Sequence, residues 1–167
     1  MKSLIHLACL ASSFFYATLC FSQQLEGRVV GISDGDTITV LTSEHVQYKV
    51  RLAGIDAPEK KQPFGQVAKQ NLSQLIYDKV VVVDWEKQDR YQRLVGKILL
   101  DGEDVNLEQI KAGLAWQYRK YKKEQVFEDR LNYLQAEEKA RVDKLGLWQE
   151  AKPVPPWEWR ESVKKSV

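Results

Sequence analysis

The chain has 167 residues, enough for one domain with a modest core and too few for two. Lys and Arg number 25 against 23 Asp and Glu, a formal charge of +2, so whole-molecule attraction to a polyanion is weak and nucleic-acid contact would have to come from local clusters. The only cysteines are Cys9 and Cys20 and the only histidines His6 and His45, which leaves little for thiol or imidazole chemistry.

In chain order, Lys2 precedes an apolar run from Leu4 to Phe21 that gives way to Gln23 and Gln24, the pattern of a secretory signal. The small residues Cys20 and Ser22 place cleavage after Ser22, and the run is short for a membrane span of roughly 20 residues. The expectation is an exported protein, periplasmic or extracellular, with no stable membrane association once residues 1–22 are removed. The mature chain then has no cysteine, a single histidine and a formal charge of +1, since Lys2 is lost from the +2 of the whole. That excludes a cysteine nucleophile and a Cys/His zinc site. His45 lies in the polar stretch TSEHVQ and reads as a solvated turn residue, so carboxylates and arginines, with or without a hard metal, have to carry any chemistry.

From Gln24 the pattern predicts three strands, a helix, two strands and two helices. LEGRVVGI and TITVL are β-rich. In VQYKVRL, Val46, Tyr48, Val50 and Leu52 share one face, while Gln47, Lys49 and Arg51 share the other. Ala68, Leu72, Leu75 and Ile76 recur at helical spacing, VVVVDWE and RLVGKILL are further strands, and Asp101-Gly102 marks a tight turn. The next helix has Asn106 as its expected cap, Leu107, Ile110 and Leu114 as its apolar stripe, and Gly113 near its end. The last runs from about Glu124 to Leu145, with Phe127, Leu131 and Leu134 expected inward and Gly146 as its stop. Pro153, Pro155 and Pro156 predict an extended path after Trp148, with Trp157 and Trp159 on one side of a strap docked on the domain. The expected fold is α+β, a five-stranded oligonucleotide-binding-type barrel with three helices over residues 23–148, followed by a Pro/Trp-rich extension over 149–167.

Three segments place acids and arginines at strand ends: SDGDT (33–37), RLAGIDAPE (51–59) and DRYQR (89–93). Singly, each has a bland reading as a turn or a solvated loop. In a small barrel, strand ends converge at the mouth, so Asp36, Asp56 and Glu59 could meet there with Arg51. YRKYKK (118–123) interleaves cations with tyrosines, suited either to phosphate contact with base stacking or to a solvated connector.

With VVGISDGDTITV, VRLAGIDAPE, DRYQRLVGKI, VNLEQIKAGLAW and KARVDKLGLW in this order, the chain resembles the staphylococcal nuclease (thermonuclease) family from about Leu25 to Trp148. The resemblance implies a barrel nuclease with a Ca2+ cofactor that hydrolyses DNA and RNA to 3′-phosphorylated products; a monomer is expected. It implies Asp36, Asp56 and the carbonyl of Ala57 as metal ligands and Arg51, Glu59 and Arg93 as the catalytic set. Glu59 would be the general base or the group orienting the attacking water. It also implies Arg90, Tyr91 and Tyr121 as substrate contacts. Asp34 is either a water-mediated partner of the ion or a stabiliser of the Gly35 turn. Gln92 stands where glycine is usual in the family. The competing expectation is a barrel that binds nucleic acid with little catalysis, against which stands the completeness of the five-residue set.

Overall fold

A computed structural model describes residues 23–121 and 125–165, with the side chain of Tyr121 outside the description. The proposed signal segment, 1–22, and residues 122–124 of the YRKYKK region lie outside the described residues. Among those described, no helix is long and apolar enough to cross a membrane.

Five long strands close a barrel: β1 (Gln23–Ile32), β2 (Thr37–Leu41), β3 (Gln47–Leu52), β5 (Val80–Gln88) and β6 (Leu94–Leu100). Two-residue strands supplement them: β4 (Ile55–Asp56), β7 (Glu103–Asp104) and β8 (Trp116–Gln117). The sheet runs β3-β2-β1-β5-β6-β7 and closes through a parallel β3–β6 pairing, with Val50 opposite Leu94 and Leu52 opposite Gly96. The hairpin partners are antiparallel, and bulges at Val29–Gly31 and Trp85–Lys87 bend the strands so that the sheet can curl. Alternation drives the burial: Val29, Ile38, Val40, Val50, Val83 and Ile98 are wholly enclosed in the barrel. Among the described residues, four α-helices accompany it, α1 (Gly65–Ile76), α2 (Val105–Lys111), α3 (Phe127–Val142) and α4 (Pro156–Lys165).

Three expectations need correction. Asn106 does not cap α2. Asp104 does, accepting from the Leu107 N–H at 3.0 Å. Asn106 is instead buried inside the helix, where its Oδ1 accepts from the Ile98 N–H and its amide donates to the Ala53 and Gly96 carbonyls, knitting α2 to the closing strands. The inward face of α3 is also not the one expected, since Phe127 is 70% exposed and Leu131 42%. Tyr133, Glu137 and Ala140 face inward. A polar network outweighs the leucines here: the Tyr133 hydroxyl donates to Asp104 at 2.8 Å, and Glu137 accepts from the Gln117 N–H at 2.6 Å.

The third correction concerns the prolines, which keep the chain out of helix only as far as Pro155. Pro156 is the first residue of α4, a position where its missing N–H and fixed φ cost nothing. The two tryptophans therefore do not share a side. Trp157 packs edge-on against Trp116 at 5.7 Å and stacks on Tyr118 at 5.7 Å, joining a buried cluster of Trp116, Ala140, Leu147 and Trp148. The strap itself is present: it runs without regular structure through Pro155 and is helical from Pro156.

Candidate active site

The site begins with the turn that launches β2. The Asp34 carboxylate accepts from the Asp36 N–H at 3.1 Å, closing the turn around Gly35. A Cβ on Gly35 would lie 2.7 Å from the Cβ atoms of both Ala57 and Ala68, so only glycine lets this turn seat against α1 and the 53–59 loop. From below, Gln109 of α2 donates to the Gly35 carbonyl at 2.7 Å, and Asn71 fixes the Gln109 oxygen. The turn is built from buried amides as much as from its own aspartates.

Asp36 is 4% exposed and Asp56 fully buried, and one guanidinium spans both. Arg51 donates through Nη1 to Asp36 at 2.5 Å and through Nη2 to Asp56 at 2.8 Å. The second oxygen of Asp36 accepts from the Ala57 N–H at 2.8 Å, and Thr37 Oγ1 donates to the first at 3.1 Å. Asp56 is carried by β4, whose ladder partner is β8, with Asp56 opposite Trp116. Glu137 holds β8 in turn through the Gln117 N–H, so a buried acid on α3 underwrites the placement of Asp56.

Electrostatics follow from this crowding. Burial, and then the charge of Asp36, push the Asp34 carboxyl up to about 6. Burial also raises Asp56, against the opposing pull of Arg160 and Arg51. Burial by itself would lower Arg51, but Asp36 and Asp56 together hold it above its ordinary value, so it stays charged.

Glu59 is joined to this group through Arg160 of α4. The Arg160 guanidinium donates to Glu59 at 2.8 Å and reaches both oxygens of Asp56, at 3.2 and 2.7 Å. Nothing in the sequence reading singled out Arg160. Its contacts span more than a hundred residues, and the assumption of an extended tail hid the helical turn that aims it inward.

Arg93 occupies a separate wall. It is anchored to Asp89 by Nε at 2.8 Å and Nη2 at 2.7 Å, and Asp89 also accepts from the Tyr91 and Arg93 N–H groups. Gln92 adopts φ 61°, the left-handed region, which accounts for glycine being usual there. Arg93 lines a cleft of about 480 Å³ with Ser33, Asp34, Thr37, Lys49, Lys60 and Tyr91. It thus faces the residues flanking Asp36, while Arg51 contacts Asp36 and Asp56 directly and Glu59 joins them only through Arg160. The Arg90 guanidinium lies 4.8 Å from the Tyr91 ring centroid and donates to its hydroxyl at 2.8 Å. His45 is exposed in a turn, away from this chemistry.

The chain as a whole is similar to known proteins. The family model described as "Staphylococcal nuclease homologue" matches residues 49–150. An "Uncharacterized endonuclease" of Haemophilus influenzae is 42% identical over 160 residues, covering 96% of this chain and 86% of the relative. Another protein of that description, from Escherichia coli O157:H7, is 43% identical over 148 residues, covering 88% of this chain and 91% of its own. A "Micrococcal nuclease" of Shigella flexneri is 38% identical over 153 residues, covering 84% and 83%. With the barrel, the ordered motifs and these matches in agreement, this chain belongs to the staphylococcal nuclease family.

Proposed function

We propose that this protein is an exported, calcium-dependent endonuclease that hydrolyses the phosphodiester bonds of DNA and RNA and leaves 3′-phosphorylated products. The observation that carries the reading is the buried Asp36–Asp56 pair spanned by Arg51, with Glu59 tied alongside, at the edge of a cleft that Lys49, Lys60 and Arg93 make cationic. Family membership and the nuclease names of its relatives support hydrolysis.

The residues suit a hard dication. Among the described residues no three or more His, Cys, Asp or Glu side chains form a ready cage, and the proposed donor set does not need one. It consists of two buried carboxylates, from Asp36 and Asp56, and the Ala57 carbonyl, all oxygen donors of the kind calcium takes. In this structure the carboxylate oxygens of the pair accept from Arg51, Arg160, Thr37 and the Ala57 N–H, so a bound dication would take the place of some of these donors. Calcium held there would supply charge neutralisation for the phosphate.

The side chains supply the rest. Arg51 and Arg93 offer forked N–H donors to the non-bridging phosphate oxygens, which gain charge as water attacks, and a guanidinium fits that geometry better than an ammonium. Glu59, with a side chain 39% exposed, can meet bulk water while Arg160 holds one of its oxygens. Water forms the new bond to phosphorus and gives its proton to Glu59. The bond to the 5′ oxygen breaks, that oxygen takes a proton from solvent, and Glu59 then returns its own. Tyr91, which lines the cleft, Arg90, packed on its ring, and Tyr121 are the proposed substrate contacts.

Digestion of plasmid and RNA by the mature protein across divalent cations, with analysis of product ends, tests this reading. Cleavage with calcium, arrest by chelator and 3′-phosphate ends are expected; full activity in chelator would refute the metal assignment. Glu59→Gln should keep oligonucleotide binding and lose most turnover, and unchanged turnover would remove Glu59 from the mechanism.

A further inference from the structure

The C-terminal strap, Val154 and Pro155 followed by α4, reaches the proposed site by two routes. It has an apolar anchor besides its ion pairs: Pro156 is buried, and Trp157 packs on Trp116 and Tyr118. From that anchor Arg160, three residues further along α4, projects to Asp56 and Glu59. The second route is Gln62, which is 7% exposed. Its Oε1 accepts from the Glu59 N–H at 3.1 Å, and its Nε2 donates to the Val154 carbonyl of the strap at 2.6 Å. The strap thus holds Glu59 by its backbone through Gln62 and by its side chain through Arg160.

A Glu59 side chain that is 39% exposed would otherwise sample many rotamers. A guanidinium that bonds Glu59 with the same nitrogen it presents to Asp56 fixes one of them. Lysine could not reproduce this, since its ammonium is a point charge without the planar fork. We propose that Arg160 is a positioning residue of the nuclease, a guanidinium supplied by the C-terminal helix that fixes the Glu59 carboxylate beside Asp56. This rests on the proposed role of Glu59. It assigns the extension beyond Trp148 a part in the reaction rather than in stability alone.

The test compares wild type, Arg160→Ala and Arg160→Lys in steady-state cleavage of single-stranded DNA with saturating calcium, alongside oligonucleotide Kd by fluorescence anisotropy. Arg160→Ala should lower kcat by about 10- to 100-fold, the scale of a misplaced reacting group, and leave KM and Kd within about twofold. Arg160→Lys should recover only part of the loss. Near-UV circular dichroism of the tryptophan cluster should be unchanged, since Trp157 holds α4 independently. In urea, the midpoint shifts of Glu59→Gln and Arg160→Ala should fail to add in the double variant, because the two side chains share one contact.

A kcat within twofold of wild type in Arg160→Ala would overturn the proposal. So would a rise in KM at constant kcat, which would make Arg160 a phosphate contact, or faster turnover at sub-saturating calcium, which would make it a competitor for Asp56. Additive urea shifts would overturn the coupling itself. A wild-type protein inactive with every cation would instead fail the nuclease reading, and the urea cycle separates that failure from this one.

Discussion

Arg51→Ala removes the guanidinium that spans two buried acids, and the structure sets the size of the effect. Breaking a buried ion pair by deleting one partner costs about 3–5 kcal/mol, because the remaining charge is left uncompensated. Here Asp56 keeps both contacts to Arg160, and Asp36 keeps the Ala57 N–H and the Thr37 hydroxyl. The loss therefore belongs at the low end, about 3 kcal/mol, and falls mainly on Asp36. Urea unfolding at pH 7.5 in chelator measures it, with an unchanged m-value as the sign that only stability moved. Adding Asp36→Asn removes the stranded charge, so the double variant should be more stable than Arg51→Ala alone. Turnover should drop by about 10² to 10³, the usual cost of one electrostatic donor, and Asp36→Asn should not restore it. A destabilisation under about 1 kcal/mol, or an Asp36→Asn effect that simply adds to it, would refute the picture of two acids held by one arginine.

Asp89→Asn should release Arg93 and slow turnover, and it also has a pH signature. Burial alone would raise Asp89, but the Arg93 guanidinium and the backbone N–H groups of Arg93 and Tyr91 outweigh it and hold the carboxyl below its ordinary range. That contribution is present above the unfolded carboxylate value, near 3.9, and is lost as pH falls through the folded one, so wild type and variant should converge in acid and separate at neutral pH; parallel curves down to about pH 2 would contradict this. Gly65→Ala places a Cβ 1.9 Å from the Glu59 carbonyl, so the 59–65 turn must shift; a cost of about 1–3 kcal/mol by thermal unfolding and a lower kcat are expected, and wild-type values in both would be inconsistent with that packing. Glu137→Gln weakens the charged acceptor of the Gln117 N–H and should cost about 2 kcal/mol, with faster hydrogen exchange at Gln117 as the local readout.

The strands were legible because their evidence is local. TITVL and VQYKVRL alternate, and alternation is what a half-buried ladder requires, so β2 and β3 lie within a residue of expectation. The same pattern put Lys49 and Arg51 on one face, and the structure finds Lys49 in the cleft and Arg51 on the acids. What stayed hidden was partnership across long separations between polar side chains. Asn106 looked like a cap because asparagine often is one, yet its amide reaches Ala53, Gly96 and Ile98. Leu131 lost its expected inward place because Glu137, an acid no hydropathy pattern would bury, finds the Gln117 N–H and Arg141. Arg160 and Gln62 were invisible for the same reason, and the run of prolines suggested an extended chain where Pro156 starts a helix.

The place where the barrel closes is also the place where the acids meet. Arg51 pairs with Thr37 of β2 on one side and with Val95 of β6 on the other, so it stands on the strand that turns an open sheet into a barrel. Leu52 donates its N–H to the Asp36 carbonyl at 2.9 Å, and Ala53 donates to Gly96 at 2.7 Å, so the backbone around the site is part of the closure. Asp36 and Asp56 can be brought to opposite ends of one guanidinium only if β3 is held by both neighbours. Destabilising the β3–β6 seam should therefore separate the acids before the rest of the barrel opens. This ties the geometry of the site to the last pairing of the fold rather than to the loops that carry its side chains.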